Sequence, residues 1–276
     1  MSVDVDKAWN KLYTKLKDEN LLVSGNEKAT VIPFFVKMRR IAAVIAICIC
    51  SGAIALYLSS GKEKNPFVSI YNDEITNTLV STLEDGSIVY LSGGGALTCP
   101  EPFTAVKRKV ALRGEALFDV NSDRTRPFFI ETEPALVEVT GTQFNLKSVG
   151  KESFELSVLQ GSVKVTLKTS GTPVQVDNGE TVRLQSGRLQ KALSTDARQF
   201  AHYTKKMQFK DERLENIVRV IHKISGKSVI FSDPDLKDME ITITFNNNTV
   251  DEMIELLCTG FDLKYTDDGK EVVIGR

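Results

Sequence analysis

Few residues of this chain have the types and spacing that catalysis requires. Adjacent carboxylates, the usual groups of acid–base catalysis, occur as Asp211-Glu212, Asp251-Glu252 and Asp267-Asp268. Each pair falls where a predicted helix begins or where a turn is expected, so the helix dipole or the turn geometry explains it without catalysis. The two histidines, His202 and His222, show no spacing typical of metal ligands.

A run of three glycines, Gly93 to Gly95, is the segment closest in type to a phosphate-binding loop. No Lys-Ser or Lys-Thr follows the run, and predicted strands lie on both sides of it. The run is therefore predicted to be a flexible loop between strands. No serine or cysteine stands in the setting of an activated nucleophile, so the sequence predicts a protein that is not an enzyme and has no cofactor or metal.

The composition excludes further classes of function. The 276 residues carry a formal net charge of −1 without a dense basic patch, which argues against nucleic acid as the main partner. Among the four cysteines, Cys48 and Cys50 lie in an apolar run, Cys99 lies in a loop-like stretch, and Cys258 shares the apolar face of a predicted helix. This arrangement indicates neither a disulfide framework nor a zinc site.

The chemistry that remains is recognition, and it is concentrated near the N-terminus. Trp9, Leu12, Tyr13 and Leu16 recur at spacings of three and four, as on one face of an α-helix, and lysines occupy the other faces. A helix this short has nothing of its own against which to bury that face, so it needs a partner or a membrane surface. We predict that the four residues bind a protein partner. A helix lying on the inner leaflet and a frayed tail without a function are the alternatives.

An apolar run at residues 41–58 separates this segment from the rest of the chain. The run contains no charge and no proline, and as a helix it would extend about 27 Å, close to the roughly 30 Å of a bilayer core. Lys37, Arg39 and Arg40 precede it, which favours a cytoplasmic N-terminus and an exported C-terminus. We predict one transmembrane helix that is not cleaved, because the apolar stretch of a signal peptide would follow a short basic start.

Residues 77–193 show a change of apolar period from 3.6 to 2. Glycine-containing turns separate short alternating segments at residues 87–91, 110–112, 128–130, 137–139, 144–146, 154–158, 163–167, 174–176 and 181–184. Regular short strands with such turns predict an antiparallel all-β sandwich or roll. Gly114, Gly141 and Gly161 are expected at turns or bulges.

Residues 207–276 contain an internal repeat. The apolar residues Phe209, Leu214 and Ile217 have the spacings of Phe245, Val250 and Met253, which follow 36 positions later. Each copy is predicted to form a strand, a helix and a strand, at residues 207–210, 211–224 and 228–232 and then at residues 240–245, 249–258 and 262–265. A last strand at 271–274 follows an Asp-Asp-Gly turn. The prediction is a small α/β domain in which two β-α-β repeats place their helices on a small sheet.

The predicted chain is therefore multi-domain. Its parts are a cytoplasmic segment with an amphipathic helix (1–36), a single transmembrane helix (37–60), a linker (61–76), an all-β domain (77–193), a second linker (194–206) and an α/β docking domain (207–276).

Several motifs of the all-β part resemble, in the same order, those of the FecR-type transmembrane anti-sigma regulators. They lie at residues 108–120, 126–128, 139–146, 158–165 and 177–180. The C-terminal part resembles the C-terminal domain of the Bacteroidetes type of FecR protein. In plan it is also similar to the short N-terminal signalling domains of secretins and TonB-dependent receptors, which are commonly docking modules.

The resemblance implies a function in signalling across the bacterial inner membrane. It implies a single-pass protein that regulates an extracytoplasmic-function sigma factor in the cytoplasm in response to the signalling domain of a TonB-dependent outer-membrane receptor in the periplasm. The stripe of Trp9, Leu12, Tyr13 and Leu16 would then face the sigma factor. Whether regulation inhibits or activates stays open. A membrane-tethered periplasmic scaffold or secretion-system docking protein without a transcriptional role is the alternative, and an anchored periplasmic hydrolase is a third hypothesis.

Overall fold

A computed structural model describes residues 5–19, 50–51, 66–193, 197–269 and 271–276. The chain divides into two compact units, residues 1–63 and 64–276, which we treat separately. In the first unit, α1 (Val5–Asp18) is the described helix. No helix within the described residues is long and apolar enough to cross a membrane. The span predicted over residues 41–58 lies outside the described residues, apart from Cys50 and Ser51.

The first part of the second unit is a β structure. Its strands are β1 (Phe67–Tyr71), β2 (Thr78–Thr82), β3 (Ile88–Leu91), β4 (Ala96–Pro100), β5 (Arg108–Asp119), β6 (Phe128–Glu131), β7 (Ala135–Val139), β8 (Gln143–Ser148), β9 (Glu155–Gln160), β10 (Ser162–Leu167), β11 (Pro173–Asp177), β12 (Glu180–Gln185) and β13 (Arg188–Leu193).

These strands form two sheets that share β5. The N-terminal half of β5 lies between β4 and β6, in a sheet of order β1-β4-β5-β6-β7-β10-β11. Its C-terminal half lies between β3 and β8, in a sheet that runs β13-β12-β9-β8-β5-β3-β2. A large apolar core, which includes Phe118, Phe128 and Phe144, involves residues of both sheets. The all-β prediction is confirmed, but β5 and β6 run parallel, so the structure is not wholly antiparallel.

Gly114 lies where β5 passes from one sheet to the other. Its φ is +108°, a value that residues with a side chain rarely adopt, and a Cβ at this position would lie 2.8 Å from Gly95 Cα. Gly161 also has a positive φ, +89°, at the turn between β9 and β10. These two glycines have the structural roles that the sequence predicts.

The second part of this unit alternates helices and strands. Its elements are a 3-10 helix (Ala197–Thr204), β14 (Lys206–Arg213), α2 (Leu214–Ser225), β15 (Ser228–Phe231), a second 3-10 helix (Pro234–Asp238), β16 (Glu240–Asn246), α3 (Val250–Phe261), β17 (Lys264–Asp267) and β18 (Glu271–Gly275).

The helices α2 and α3 contact two sheets rather than one. On one side β14 pairs with β16, and Phe209 and Phe245 of these strands belong to an apolar cluster with both helices. In the other sheet, of order β15-β18-β17, Val272 and Ile274 of β18 contact Ile254 of α3. The predicted layer of helices on a single small sheet is therefore wrong. Both sheets are needed because each helix carries apolar residues on more than one face.

The helix boundaries follow local capping. Thr249 accepts a hydrogen bond from the backbone N–H of Glu252, whose side chain accepts one from the N–H of Thr249, so a capping box begins α3. The helix α2 begins at Leu214, three residues after the start that the sequence predicts. Asp211 has a positive φ of 46° and Glu212 still pairs with β16, which delays the helix.

Three expectations about irregular segments are wrong. The stretch at 61–76, expected as a linker, contains β1, which pairs with β4. The stretch at 194–206 contains a 3-10 helix, and its Phe200 and Tyr203 are buried. Cys99 lies in β4 rather than in a loop, and burial raises the pKa of its thiol to about 11. Short segments of this kind lack the periodicity by which longer elements are predicted.

Candidate interaction surfaces

The helix α1 carries the residues predicted to bind a partner. Asp6 lies in its first turn and Lys15 and Lys17 lie in its last, which suits the helix dipole at both ends. Glu19 N–H donates to Lys15 O (3.1 Å) at the C-terminal end. The charges at both ends therefore favour a helix in this segment.

The predicted stripe lies on one face of α1 and is open to solvent. Trp9, Leu12 and Tyr13 expose 66%, 49% and 55% of their surface, and Leu16 is half-buried. No residue of α1 is buried. An exposed face of two aromatic and two aliphatic side chains has the chemistry of an interface anchor, since large aromatic residues supply much of the binding energy at protein–protein contacts.

The second unit contains an apolar contact between its two parts that the sequence did not predict. β14 pairs in parallel with β2, placing Met207 beside Thr78 and Gln208 beside Leu79. The sheet that ends at β2 therefore continues into β14 and β16. Apolar residues of this sheet that are not part of the sandwich core form one cluster with residues of α2 and the first 3-10 helix. The sandwich contributes Val80, Ile88, Tyr90 and Leu117 to that cluster. We refer to this cluster and its polar rim as the joint.

The hydroxyl of Tyr203 fixes the joint by hydrogen bonds inside the protein. It donates to Asn145 Oδ1 (2.8 Å) and accepts from Ser92 Oγ (3.2 Å), and Glu115 Oε1 lies 3.3 Å away. Asn145 Nδ2 also donates to Glu115 Oε1 (3.3 Å). Tyr203 is fully buried, and this burial raises the pKa of its hydroxyl. The network therefore links the first 3-10 helix to β5, β8 and the loop after β3.

Glu212 makes a second polar contact across the joint. Its Oε2 accepts from the backbone N–H of Thr82 (3.2 Å) and its Oε1 accepts from Asn216 Nδ2 (2.6 Å). Burial raises the pKa of this carboxyl. Glu212 therefore belongs to the contact between the two parts, while Asp211 accepts a hydrogen bond from Thr242 Oγ1 of β16, so catalysis is not needed to explain the pair.

The motif residues of the all-β part have structural roles. Arg108 is fully buried, and its Nη1 pairs with Asp85 Oδ2 at 2.6 Å. The same guanidinium donates to the backbone oxygens of Asn121 and Arg126 (both 2.8 Å) and lies over the ring of Phe128. A buried charge needs such partners, so this set ties the loop before β6 to the start of β5.

The described part of the chain contains no cluster of His, Cys, Asp and Glu that could hold a metal ion. His222 is exposed, with Nδ1 3.0 Å from Lys227 O, and His202 is exposed beside the ring of Tyr203. A cavity of about 710 Å³ at one end of the sandwich is lined mainly by loop residues, among them Glu133, Lys151 and Glu152.

Comparison with known proteins matches both parts of the second unit. The family model described as FecR protein matches residues 76–164, and the model described as FecR, C-terminal matches residues 206–274. Together they cover more than half of the chain. The chain belongs to the FecR family. The FecR match begins just before β2, and the FecR C-terminal match spans β14 to β18. The joint is therefore a contact between residues of the two matched regions.

Two crystal structures of a candidate anti-sigma factor from Parabacteroides distasonis ATCC 8503 are similar to this FecR-family chain. Both are 22% identical to it. One covers 76% of this chain and 99% of its own, with a TM-score of 0.47. The other covers 75% and 98%, with a TM-score of 0.46. No protein of curated function matches the sequence.

Proposed function

We propose that this FecR-family protein regulates an extracytoplasmic-function sigma factor, which it binds through the apolar face of α1. The exposed stripe of Trp9, Leu12, Tyr13 and Leu16 is the observation that carries the proposal. Membership of the FecR family supports it, because FecR-type proteins are anti-sigma regulators. Such a protein acts by binding and not by catalysis.

The binding test compares two faces of the same helix. Trp9→Asp places a charge in the stripe, and we expect it to weaken binding of a purified extracytoplasmic-function sigma factor by about 2 kcal/mol or more, roughly thirtyfold. Lys11→Asp introduces the same residue on the opposite face and is expected to leave the affinity within about threefold. Isothermal titration with the full chain measures both. Equal affinities for the wild-type chain and Trp9→Asp would refute the proposal.

The remaining parts of the proposal concern the path of the signal. We propose that residues 41–58 form a single span of the inner membrane with the N-terminus in the cytoplasm. The unit 64–276 would then lie in the periplasm and receive its signal from a TonB-dependent receptor. The uncharged apolar run and the basic residues before it support this arrangement.

The orientation has its own test. Alkaline phosphatase fused after residue 276 is expected to be active, because this enzyme folds only outside the cytoplasm, and the same enzyme fused after residue 36 is expected to be inactive. Activity with the opposite pattern would place Lys64 in the cytoplasm and would contradict the proposed path. It would leave the sigma-factor binding experiment unaffected.

A further inference from the structure

The internal repeat of the C-terminal part is also a symmetry of the fold. In the antiparallel pair of β14 and β16, Met207 lies beside Phe245 and Phe209 lies beside Ile243. The repeat relates Met207 to Ile243 and Phe209 to Phe245, 36 positions apart in each case. Exchanging the two repeats therefore turns the pair Met207–Phe245 into the pair Ile243–Phe209, and the register of the two strands stays the same. The two repeats are therefore related by a local twofold axis between β14 and β16.

A rare backbone conformation obeys the same symmetry. Asp211 and Asn247, again 36 positions apart, have φ values of +46° and +57°. Each residue follows the apolar part of its strand and precedes its helix. Since non-glycine residues seldom adopt this conformation, the two repeats share their detailed path and not only their order of elements.

In the first repeat, the sandwich covers one face of α2 and the edge of β14 that does not pair with β16. β2 pairs with the outer edge of β14, and Val220 of α2 is fully buried in the joint. Two basic side chains of α2 reach the sandwich. Arg219 Nη1 lies 3.2 Å from the position that a Cβ would take at Gly86, and Lys223 Nζ lies 3.0 Å from Asp119 Oδ2.

In the second repeat, the equivalent surface is uncovered. β16 ends the sheet, with no strand beside its outer edge in the part of the chain that the structure describes. Leu256 occupies the position of Val220, yet it exposes 41% of its surface where Val220 exposes none. Thr242 and Thr244 of β16 are also exposed. The second repeat thus presents the same docking surface without an occupant.

The outer edge of β16 is suited to strand addition. Asn247 N–H donates to Lys205 O, and Asn246 N–H donates to Asn248 Oδ1, so the N–H groups of Asn246 and Thr244 point away from β14. Natural edge strands are commonly protected by lysine or proline, and β16 has neither. Its outer edge is therefore open to a further strand.

The charge of this surface selects the occupant. Glu255 takes the position of Arg219, and Thr259 takes that of Lys223. Glu255 is exposed, so the second repeat is acidic where the first is basic. An occupant that complements it carries a basic side chain opposite Glu255, at the place where the sandwich sets Gly86 against Arg219.

We propose that β16 takes up an extended strand of a partner protein. The strand pairs in parallel with residues 243–244, as β2 does with residues 207–208, places an aliphatic side chain on Leu256 and presents a basic side chain to Glu255. The identity of the partner rests on the function proposed above, in which it is the periplasmic domain of a receptor. The edge, its direction and its charge preference rest on the repeat alone.

A peptide that copies the natural occupant of the first repeat is the probe. Residues 77–83 followed by two lysines, with a fluorescent label, are expected to bind the full chain saturably. The same peptide ending in two glutamates is expected to bind about tenfold more weakly, because it meets Glu255. Fluorescence anisotropy measures both affinities.

Two variants locate the binding. Thr244→Pro removes an N–H that points away from β14, so the fold is retained and peptide binding is lost. Glu255→Lys is expected to reverse the preference between the two peptides. Glu152→Lys makes the same charge change in a loop of the sandwich and is expected to leave the preference unaltered.

Three results of the peptide experiments would overturn the proposal. These are the absence of saturable peptide binding, binding that survives Thr244→Pro, or a charge preference that Glu255→Lys does not change. Sedimentation that shows self-association of the full chain, abolished by Leu256→Glu, would identify a second copy as the occupant and would also overturn it. None of these results bears on sigma-factor binding by α1, so the two proposals fail separately.

Discussion

At the scale of single residues, Tyr203 shows how a polar side chain can fix a contact between two parts of a chain. Its ring lies in the joint, while its hydroxyl hydrogen-bonds to the buried Asn145 and to Ser92. Buried polar groups need such partners, because an unmet hydrogen bond costs more free energy than a formed one contributes. The sequence gives no sign of this role, because Tyr203 lies in a segment without periodicity.

Removal of the Tyr203 hydroxyl tests this role. Tyr203→Phe keeps the ring and leaves Asn145 without its donor, so we expect the free energy of unfolding to fall by about 1–3 kcal/mol. Tyr265→Phe removes a hydroxyl from an exposed residue of β17 and is expected to change stability by less than about 0.5 kcal/mol. Urea unfolding of the full chain measures both. Equal losses for the two variants would contradict the role given to the network.

At the scale of elements, alternation of apolar residues predicted nine of the thirteen strands β1 to β13. The nine segments predicted in the all-β part all lie in strands, because each has one face in the core. β1, β2, β4 and β13 were missed. Most residues of β1 are exposed, β2 is largely polar, and the apolar residues of β13 do not alternate with polar ones. β5 was predicted as a three-residue strand within a segment of twelve, since Gly114 and the change of sheet interrupt its pattern.

The passage of β5 between the sheets depends on Gly114. Gly114→Ala combines a strained φ with a Cβ that would lie 2.8 Å from Gly95 Cα, and we expect a loss of about 3 kcal/mol or more. Gly171→Ala also has a positive φ, +66°, but its Cβ meets no atom within 4 Å, so the expected loss is about 1 kcal/mol. Thermal unfolding distinguishes them. A loss at Gly114 no larger than at Gly171 would mean that the close contact is unimportant.

At the scale of the whole molecule, the joint is the feature that sequence reasoning did not find. The repeat predicted the main elements of the C-terminal part, and the alternating segments between glycine turns predicted nine strands of the sandwich. Ile88 and Tyr90 alternate with Val89 and Leu91 of the sandwich core, so β3 reads as continuously apolar rather than as two-faced. Such a pattern shows that both faces are buried but does not identify what covers the second face.

The two repeats offer a matched test of the joint. Val220→Ala removes two methyl groups from a buried position, and we expect it to lower the free energy of unfolding by about 2 kcal/mol. Leu256→Ala removes more atoms at the equivalent position of the second repeat, yet its exposure predicts a loss below about 1 kcal/mol. A larger loss for Leu256→Ala in urea unfolding of the full chain would show that the second repeat is covered in solution.

Recognition by the stripe of α1 is the central claim, and Trp9 allows it to be measured directly. Trp9 is the single tryptophan of the chain, so labelling with 5-fluorotryptophan gives one ¹⁹F resonance for the whole protein. Titration with an unlabelled extracytoplasmic-function sigma factor is expected to shift this resonance and to protect it from a water-soluble paramagnetic agent, because Trp9 becomes buried. If the sigma factor binds while the resonance keeps its position and its exposure, the stripe is not the binding surface and the account is contradicted.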